Sequence, residues 1–350
     1  ARGRGAASRF GIAERGGGTL IVLLSILALL TPAERDSLLA DTPGNAVFWS
    51  EVLSANRGVM LDCIDGLFST IPRLDRLEMT SEALMDHVIG ALDSREIWFE
   101  SMPDSIFLNF LLQYRFDEEP VSPYRTPLVT YWTTWIADTD TTVAAVTESI
   151  ASSIGRMRVR PYDFMGGVAS PCDVLASGGG TPVELRVLLG SSLRALGIPV
   201  RSVLGWFQGP EGRESGWLEY WNGGGWTQLP LPSDSLPDGF AGLSLAVAGG
   251  EYITGEIVPC GRISFQPVSA ASDSLLLTVS IPCPGRYVAL DWLDTAPAVP
   301  CTVELGEGTY MIHLSRRLAS GAVRLASMPV EVVAGTTMPV DLHALENSLY

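Results

Sequence analysis

Between residues 81 and 98, Leu84, Met85, Val88, Ile89, Leu92 and Trp98 recur at spacings of three and four, which places them on one face of a helix. A second stripe, Leu185, Leu188, Leu189, Leu193 and Leu196, follows three helix-start signals. Thr181 can cap, Pro182 carries the preset φ of a first turn, and Glu184 can bond back to the cap. Gly190-Ser191-Ser192 keep one side of that helix thin, so a neighbour can approach closely. Gly197 ends the helix and Ile198-Pro199 turns the chain. The apolar period then shortens. Residues 200–207, 217–221 and 226–229 read as strands, the last two joined by Asn222-Gly223-Gly224-Gly225. Beyond about residue 245, β-rich runs at 275–281, 287–290, 309–314, 322–325, 330–333 and 338–342 alternate with Gly, Pro and Ser. Strands spaced about ten residues apart with turn signals between them predict a sandwich of about 100 residues.

These patterns divide the chain into a mostly helical region over 34–160, an α+β core over 161–240 and a β-sandwich over 245–350. Met102-Pro103-Asp104 and Asp117-Glu118-Glu119-Pro120 interrupt the helical region. His87 falls among its apolar positions and reads as a structural residue rather than a ligand. Residues 1–33 are a different material: Arg2, Arg4, Arg9 and Arg15 precede an apolar run over 19–30, then Thr31-Pro32-Ala33. A basic lead, a short apolar run and a small-residue exit form a secretory signal, and the run is shorter than the roughly 20 residues a membrane span needs. The competing reading is a buried helix, since Thr31-Pro32-Ala33-Glu34 is also a capping box. The two are compatible if cleavage falls near Ala33. The sequence therefore predicts an extracytoplasmic protein (secreted, periplasmic or at the cell surface), meeting a membrane only through an uncleaved N-terminus.

Composition narrows the chemistry. The 350 residues are 47% hydrophobic and 18% charged, globular values rather than those of a disordered chain. Net charge is −16, from 39 acids against 23 bases, which excludes a broad basic face for nucleic acid. Every base is arginine, so lysine-based chemistry is excluded as well. Five cysteines (Cys63, Cys172, Cys260, Cys283 and Cys301) contain no C-x-x-C pair, and His87, His313 and His343 are scattered. That argues against a zinc site, and no cofactor is expected. In an exported domain, Cys260, Cys283 and Cys301 could hold one disulfide, with Cys283–Cys301 closing the shortest loop.

The informative stretch is 170–231. Ser170-Pro171, Leu175, the string from Ser177-Gly178-Gly179-Gly180 through Thr181-Pro182-Val183-Glu184-Leu185, and Leu193-Arg194-Ala195-Leu196-Gly197-Ile198-Pro199-Val200-Arg201 resemble the transglutaminase-like core of bacterial secreted type. Met102-Pro103, Gln113-Tyr114-Arg115 and Tyr124-Arg125 resemble the helical region that precedes it. The resemblance implies a papain-like α+β fold with an antiparallel sheet. It also implies a cysteine presented at a helix start, a histidine two residues before a strand Trp, and a later aspartate. A thiolate there is stabilised by free helix N–H groups and the dipole, an imidazole takes its proton, and the carboxylate fixes the imidazole.

Carried over by position, the cysteine falls on Pro182, the histidine on Ser215 and the aspartate on Pro230, so all three catalytic side chains are absent. Cys172 and Thr181 are the substitutes to weigh, and each has an ordinary reading as a packed thiol and a cap. Glu184, Arg194, Gly197, Pro199, Arg201, Trp217, Glu219 and Trp226 retain the framework. Thr181, Glu184, Trp206, Trp217, Glu219 and Trp226 are candidates to line the groove that substrate fills in active relatives. The sequence thus predicts an inactive transglutaminase-like protein that binds protein, peptide or cell-wall glycan, or acts as a scaffold. The alternative is a transglutaminase-type cysteine peptidase or amidase with an unassigned nucleophile.

Overall fold

The computed structural model describes residues 30–136, 142–161, 167–209, 213–229, 231, 236–268, 275–291, 293 and 300–349. Two compact units divide the chain, one of residues up to 202 together with 217–233, the other of 203–216 together with 234–350. This division differs from the boundaries expected near 160 and 240. The helical region and the 182–195 helix share a unit, whereas residues 203–216 belong with the C-terminal sheets.

In the first unit, α1 (Pro32–Asp41), α2 (Ala46–Ala55), α3 (Gly58–Thr70), α4 (Arg73–Glu78) and α5 (Ser81–Ser94) lead to a π-helical turn over Phe107–Leu111. The segments α6 (Arg125–Trp132), α7 (Val143–Gly155), α8 (Pro171–Ser177) and α9 (Pro182–Ala195) follow. Thr31 caps α1 through a complete capping box with Glu34; the basic and apolar lead over 1–29 lies outside the described residues. The inward row of α5 is Leu84, Val88 and Ala91, while Ile89 is 43% exposed, so the predicted stripe is narrower than its sequence pattern. Among the described residues, no helix is long and apolar enough to cross a membrane.

The centre of this unit is α9, with Leu185, Leu188, Leu189 and Leu193 all buried. Helical-region side chains are tied to it by hydrogen bonds. Trp98 Nε1 donates to Leu196 O (2.7 Å), Trp132 Nε1 to Ser192 Oγ (2.7 Å) and the Arg125 guanidinium to Arg194 O (2.8 Å). These bonds join the helical region to α9 within one compact unit. The thin side of α9 does receive a close neighbour: a Cβ on Gly190 would lie 2.2 Å from the Phe116 ring. Two short strands, β1 (Arg158–Val159) and β2 (Gly179–Gly180), pair in parallel just before α9.

Strands β3 (Val200–Phe207) and β4 (Arg213–Trp221) run through the division between units. In the first unit, residues 218–221 of β4 pair with β5 (Trp226–Leu229) across the predicted glycine turn. In the second, residues 203–207 of β3 pair with β6 (Leu243–Ala248), which also pairs β7 (Glu251–Tyr252). The predicted sandwich is present. One sheet has the order β10 (Arg286–Ala289), β9 (Leu275–Cys283), β12 (Gly308–Arg317), β13 (Val323–Val332), and the other β11 (Cys301–Gly306), β8 (Cys260–Gln266), β14 (Thr337–Asp341). Phe265, Val279, Leu305, Tyr310, Ile312 and Val340 fill its core.

Three details differ from expectation. The runs 322–325 and 330–333 are one strand, because β13 is an edge strand and tolerates Pro329. The last run ends at Asp341, which caps a short helix, α10 (Leu342–Asn347). All five cysteines are free. Register explains part of this: Cys260 sits opposite Gly306 and Cys301 opposite Phe265, five positions along neighbouring strands. At about 3.3 Å per residue that separates them by roughly 16 Å, against the roughly 7 Å limit for a disulfide. Cys283 lies in the opposite sheet.

Candidate functional site

The start of α9 is built by sequence-local chemistry. Gly178 adopts the left-handed conformation (φ 65°) that closes α8. Gly179 passes so near β1 that a Cβ would lie 2.4 Å from Arg158 O, and one on Gly180 would lie 2.9 Å from the Glu184 Cβ. Thr181 N–H donates to Glu184 Oε2 (2.7 Å), and Glu184 N–H donates to Thr181 Oγ1 (3.2 Å). Glu184 also accepts from Ala169 N–H (3.1 Å) and pairs with Arg160 (3.1 Å). Burial pushes its carboxyl up, but the Thr181 and Ala169 amides, Arg160 and the Thr181 hydroxyl outweigh that and hold it below the ordinary carboxylate range. Glu184 is therefore a fixed anion bracing a helix start, not a proton donor.

Pro182 occupies the first position of α9. Its ring has no polar atom, so the point nearest the free amides of this helix carries no nucleophile. The buried Thr181 hydroxyl is committed to its cap. Cys172, half-buried on α8, has its thiol pushed up by burial and by Asp173 and Asp86, the opposite of what an attacking thiolate requires. Ser215, on β4, is half-buried and belongs to the 203–216 segment of the other unit. Pro230 lies outside the described residues.

The remaining groove candidates are divided between the two units. Trp217, Glu219 and Trp226 gather with Arg201 in the first unit. Arg201 Nε and a terminal nitrogen reach Glu219 Oε2 at 2.8 and 2.7 Å, and Trp217 Nε1 donates to Glu219 Oε1 (3.0 Å). The Arg201 guanidinium lies 4.5 Å from the Trp226 ring centroid, and Trp226 meets Phe110 edge-on at 4.7 Å. Arg201 and Glu219 are both buried, so this is an internal ion pair. Trp206 is buried in the C-terminal unit's own core, beside Leu245 and Phe265.

Sequence reasoning did not anticipate the buried arginines that connect α9 to the helical region. Arg194 donates to Phe110 O (3.0 Å), Arg115 O (2.7 Å) and Val200 O (3.0 Å), with its guanidinium 4.4 Å from the Phe116 ring. Burial and neighbouring Arg125 bring its pKa down to about 10, so it stays charged at neutral pH. The π-helical turn supplies carbonyls to both arginines, Phe110 to Arg194 and Leu111 to Arg125. The signal for this was weak, a lone arginine after Tyr124 and another inside an apolar stripe. His87 is fully buried, with Nε2 3.0 Å from Ser122 O and the ring edge-on to Tyr124. Burial and Arg125 bring it down to about 3, so it is neutral, and Nε2 donates to the carbonyl. Among the described residues, no group of three or more His, Cys, Asp or Glu could hold a metal ion.

The sequence pattern of the transglutaminase-like superfamily matches residues 131–230, the interval holding the α9 start, the Arg201–Glu219 pair and the β4–β5 hairpin. Residues 131–230 are a transglutaminase-like domain. No curated protein matches the chain. A candidate cysteine protease from Cytophaga hutchinsonii, solved at 1.9 Å, is similar at 17% identity with a TM-score of 0.28. That similarity covers 34% of this chain and 39% of the other, so the match spans about two fifths of the solved protein. Within the transglutaminase-like domain, the framework residues Glu184, Arg194, Arg201, Trp217, Glu219 and Trp226 are engaged in packing and internal hydrogen bonds.

Proposed function

We propose that this transglutaminase-like domain is catalytically inactive, and that the exported protein acts as a binding or scaffold module for protein, peptide or glycan. The observation that carries the reading is Pro182 at the first position of α9, where the resemblance places the nucleophile. Proline offers no attacking atom. Serine at 215 is too weakly basic at neutral pH to replace an imidazole. The histidine of the same unit, His87, is buried and bonded to a backbone carbonyl. In a well-studied hydrolase, losing a triad nucleophile or base costs on the order of 10⁶ in rate, so turnover is expected to vanish.

Purified full-length protein is expected neither to incorporate amines into glutamine substrates nor to cleave peptides or peptidoglycan fragments. Iodoacetamide is expected to find no unusually fast thiol. Turnover that survives purification and disappears in Cys172→Ala or Thr181→Ala overturns the reading in favour of an enzyme with a displaced nucleophile. Export is supported by the basic lead and the apolar run before Thr31. N-terminal sequencing of cell-derived protein is expected to begin near Glu34; an intact 1–33 in a soluble cytoplasmic fraction defeats it.

A further inference from the structure

A cavity of about 440 Å³ opens between the end of α6 and the outer face of α7, within the first unit. It falls inside the roughly 300–1,000 Å³ range of small-molecule sites. Its lining combines two kinds of surface. Trp135, in the turn after α6, is 56% exposed and lies nearly parallel to Tyr131 (28° between planes, centroids 5.8 Å apart). Buried Trp132, Ile136 and Ile150 add apolar surface. The α7 side offers the hydroxyls of Ser152 and Ser153, flanked by the exposed side chains of Glu148 and Arg156. Arg156 already donates to Ser152 Oγ (3.2 Å).

Chemistry selects the ligand class. A cation over Trp135 would gain from the ring face and Glu148 but would meet Arg156. An anion would pair with Arg156 but meet Glu148. A purely aliphatic group would desolvate two hydroxyls and two charges without replacing their hydrogen bonds. A neutral ring with one apolar face and a hydroxyl-bearing edge satisfies both surfaces, its C–H face on Trp135 and its hydroxyls toward α7. We infer that this cavity binds a neutral pyranoside, with Trp135 as the stacking platform and Glu148, Ser152 and Arg156 as hydrogen-bonding partners. The inference uses none of the residues at the start of α9 and stands whether or not the domain turns over a substrate.

The test uses the full chain with cellobiose and N,N′-diacetylchitobiose as probes, followed by calorimetry and saturation-transfer NMR. Saturable binding of at least one probe is expected. Trp135→Ala is expected to weaken it by about tenfold or more, the scale of a favourable aromatic contact together with lost burial, and Trp135→Phe to weaken it less. Because Trp135 is exposed, its replacement leaves the core intact, which circular dichroism checks. Ser152→Phe fills the same cavity from α7 and is expected to abolish binding independently. No saturable binding of either probe, or binding unchanged in both Trp135→Ala and Ser152→Phe, overturns the inference. Turnover by the wild type together with sugar binding that depends on Trp135 would retire the inactive-domain reading and leave this one standing.

Discussion

Replacing Glu219 by alanine tests whether the framework of the transglutaminase-like domain is internal architecture or a binding surface. Both members of the Arg201–Glu219 pair are buried, with side chains 6% and 8% exposed. The carboxylate also accepts the Trp217 indole N–H. Removing it takes the Glu219 carboxylate away from the buried guanidinium beneath the Trp226 ring, and breaking a buried pair costs roughly 3–5 kcal/mol. Loss of the acceptor for Trp217 belongs to the same range, since one carboxylate serves both partners. The pair lies wholly in the first unit. Urea unfolding of the full chain, followed by tryptophan fluorescence and far-ultraviolet circular dichroism, should therefore shift that unit's transition and leave the other in place. The double variant Arg201→Met/Glu219→Leu removes both charges and is expected to lose less than Glu219→Ala alone, because both charges leave the interior together. A Glu219→Ala chain within about 1 kcal/mol of wild type would refute the reasoning and mean that water reaches the pair.

Two further outcomes follow from packing and protonation. Gly190→Ala would gain about 1 kcal/mol of helix propensity at an exposed site. Here its Cβ meets the Phe116 ring at 2.2 Å, so overpacking of roughly 1–3 kcal/mol should win; a higher melting temperature would contradict the close approach. His87 is held neutral with a pKa near 3 against an ordinary 6.5, facing Arg125, Arg194 and Asp86. Below pH 6.5 the unfolded chain binds a proton there that the folded chain does not, so its contribution falls with pH by up to about 1.4 kcal/mol per unit. Between pH 7 and 5 that amounts to roughly 2 kcal/mol, and His87→Phe should flatten this part of the slope; an identical slope in the variant would show that the imidazole is not the group responsible.

What could be read from the sequence was set by how local each determinant is. The start of α9 was legible because cap, proline and returning carboxylate lie within four residues, and the structure makes both hydrogen bonds of the box. The thinness of Gly190-Ser191-Ser192 was legible as an opportunity, but Phe116 as its occupant was not, because that contact spans a long sequence separation. The same limit hid the carbonyls that Arg194 and Arg125 reach. By sequence Trp206 groups with the other tryptophans, because strand alternation gives a side chain's face but not which core that face meets. Pro329 divided a strand on paper because edge position, which excuses a proline, is a property of the sheet and not of the segment. The cavity beside Trp135 gave no sequence signal, since serines on a helix exterior read as ordinary solvent-facing residues.

If the domain is inactive as proposed, the arrangement at α9 gives a physical reason for the framework to persist. Glu184, Arg194, Arg201 and Glu219 are each bonded to several buried partners, so replacing any of them strands polar groups away from water. Position 182 carries no such obligation. Its side chain supports nothing in the capping box, and proline there improves the helix start, because its φ is already helical and its missing N–H is one that the first turn leaves unpaired. A cysteine at the same point would have to be kept ionised by a nearby base, and the imidazole of this unit is buried and occupied. On the proposed inactive reading, stability alone favours proline at 182, while every neighbouring framework residue remains fixed by the groups it satisfies.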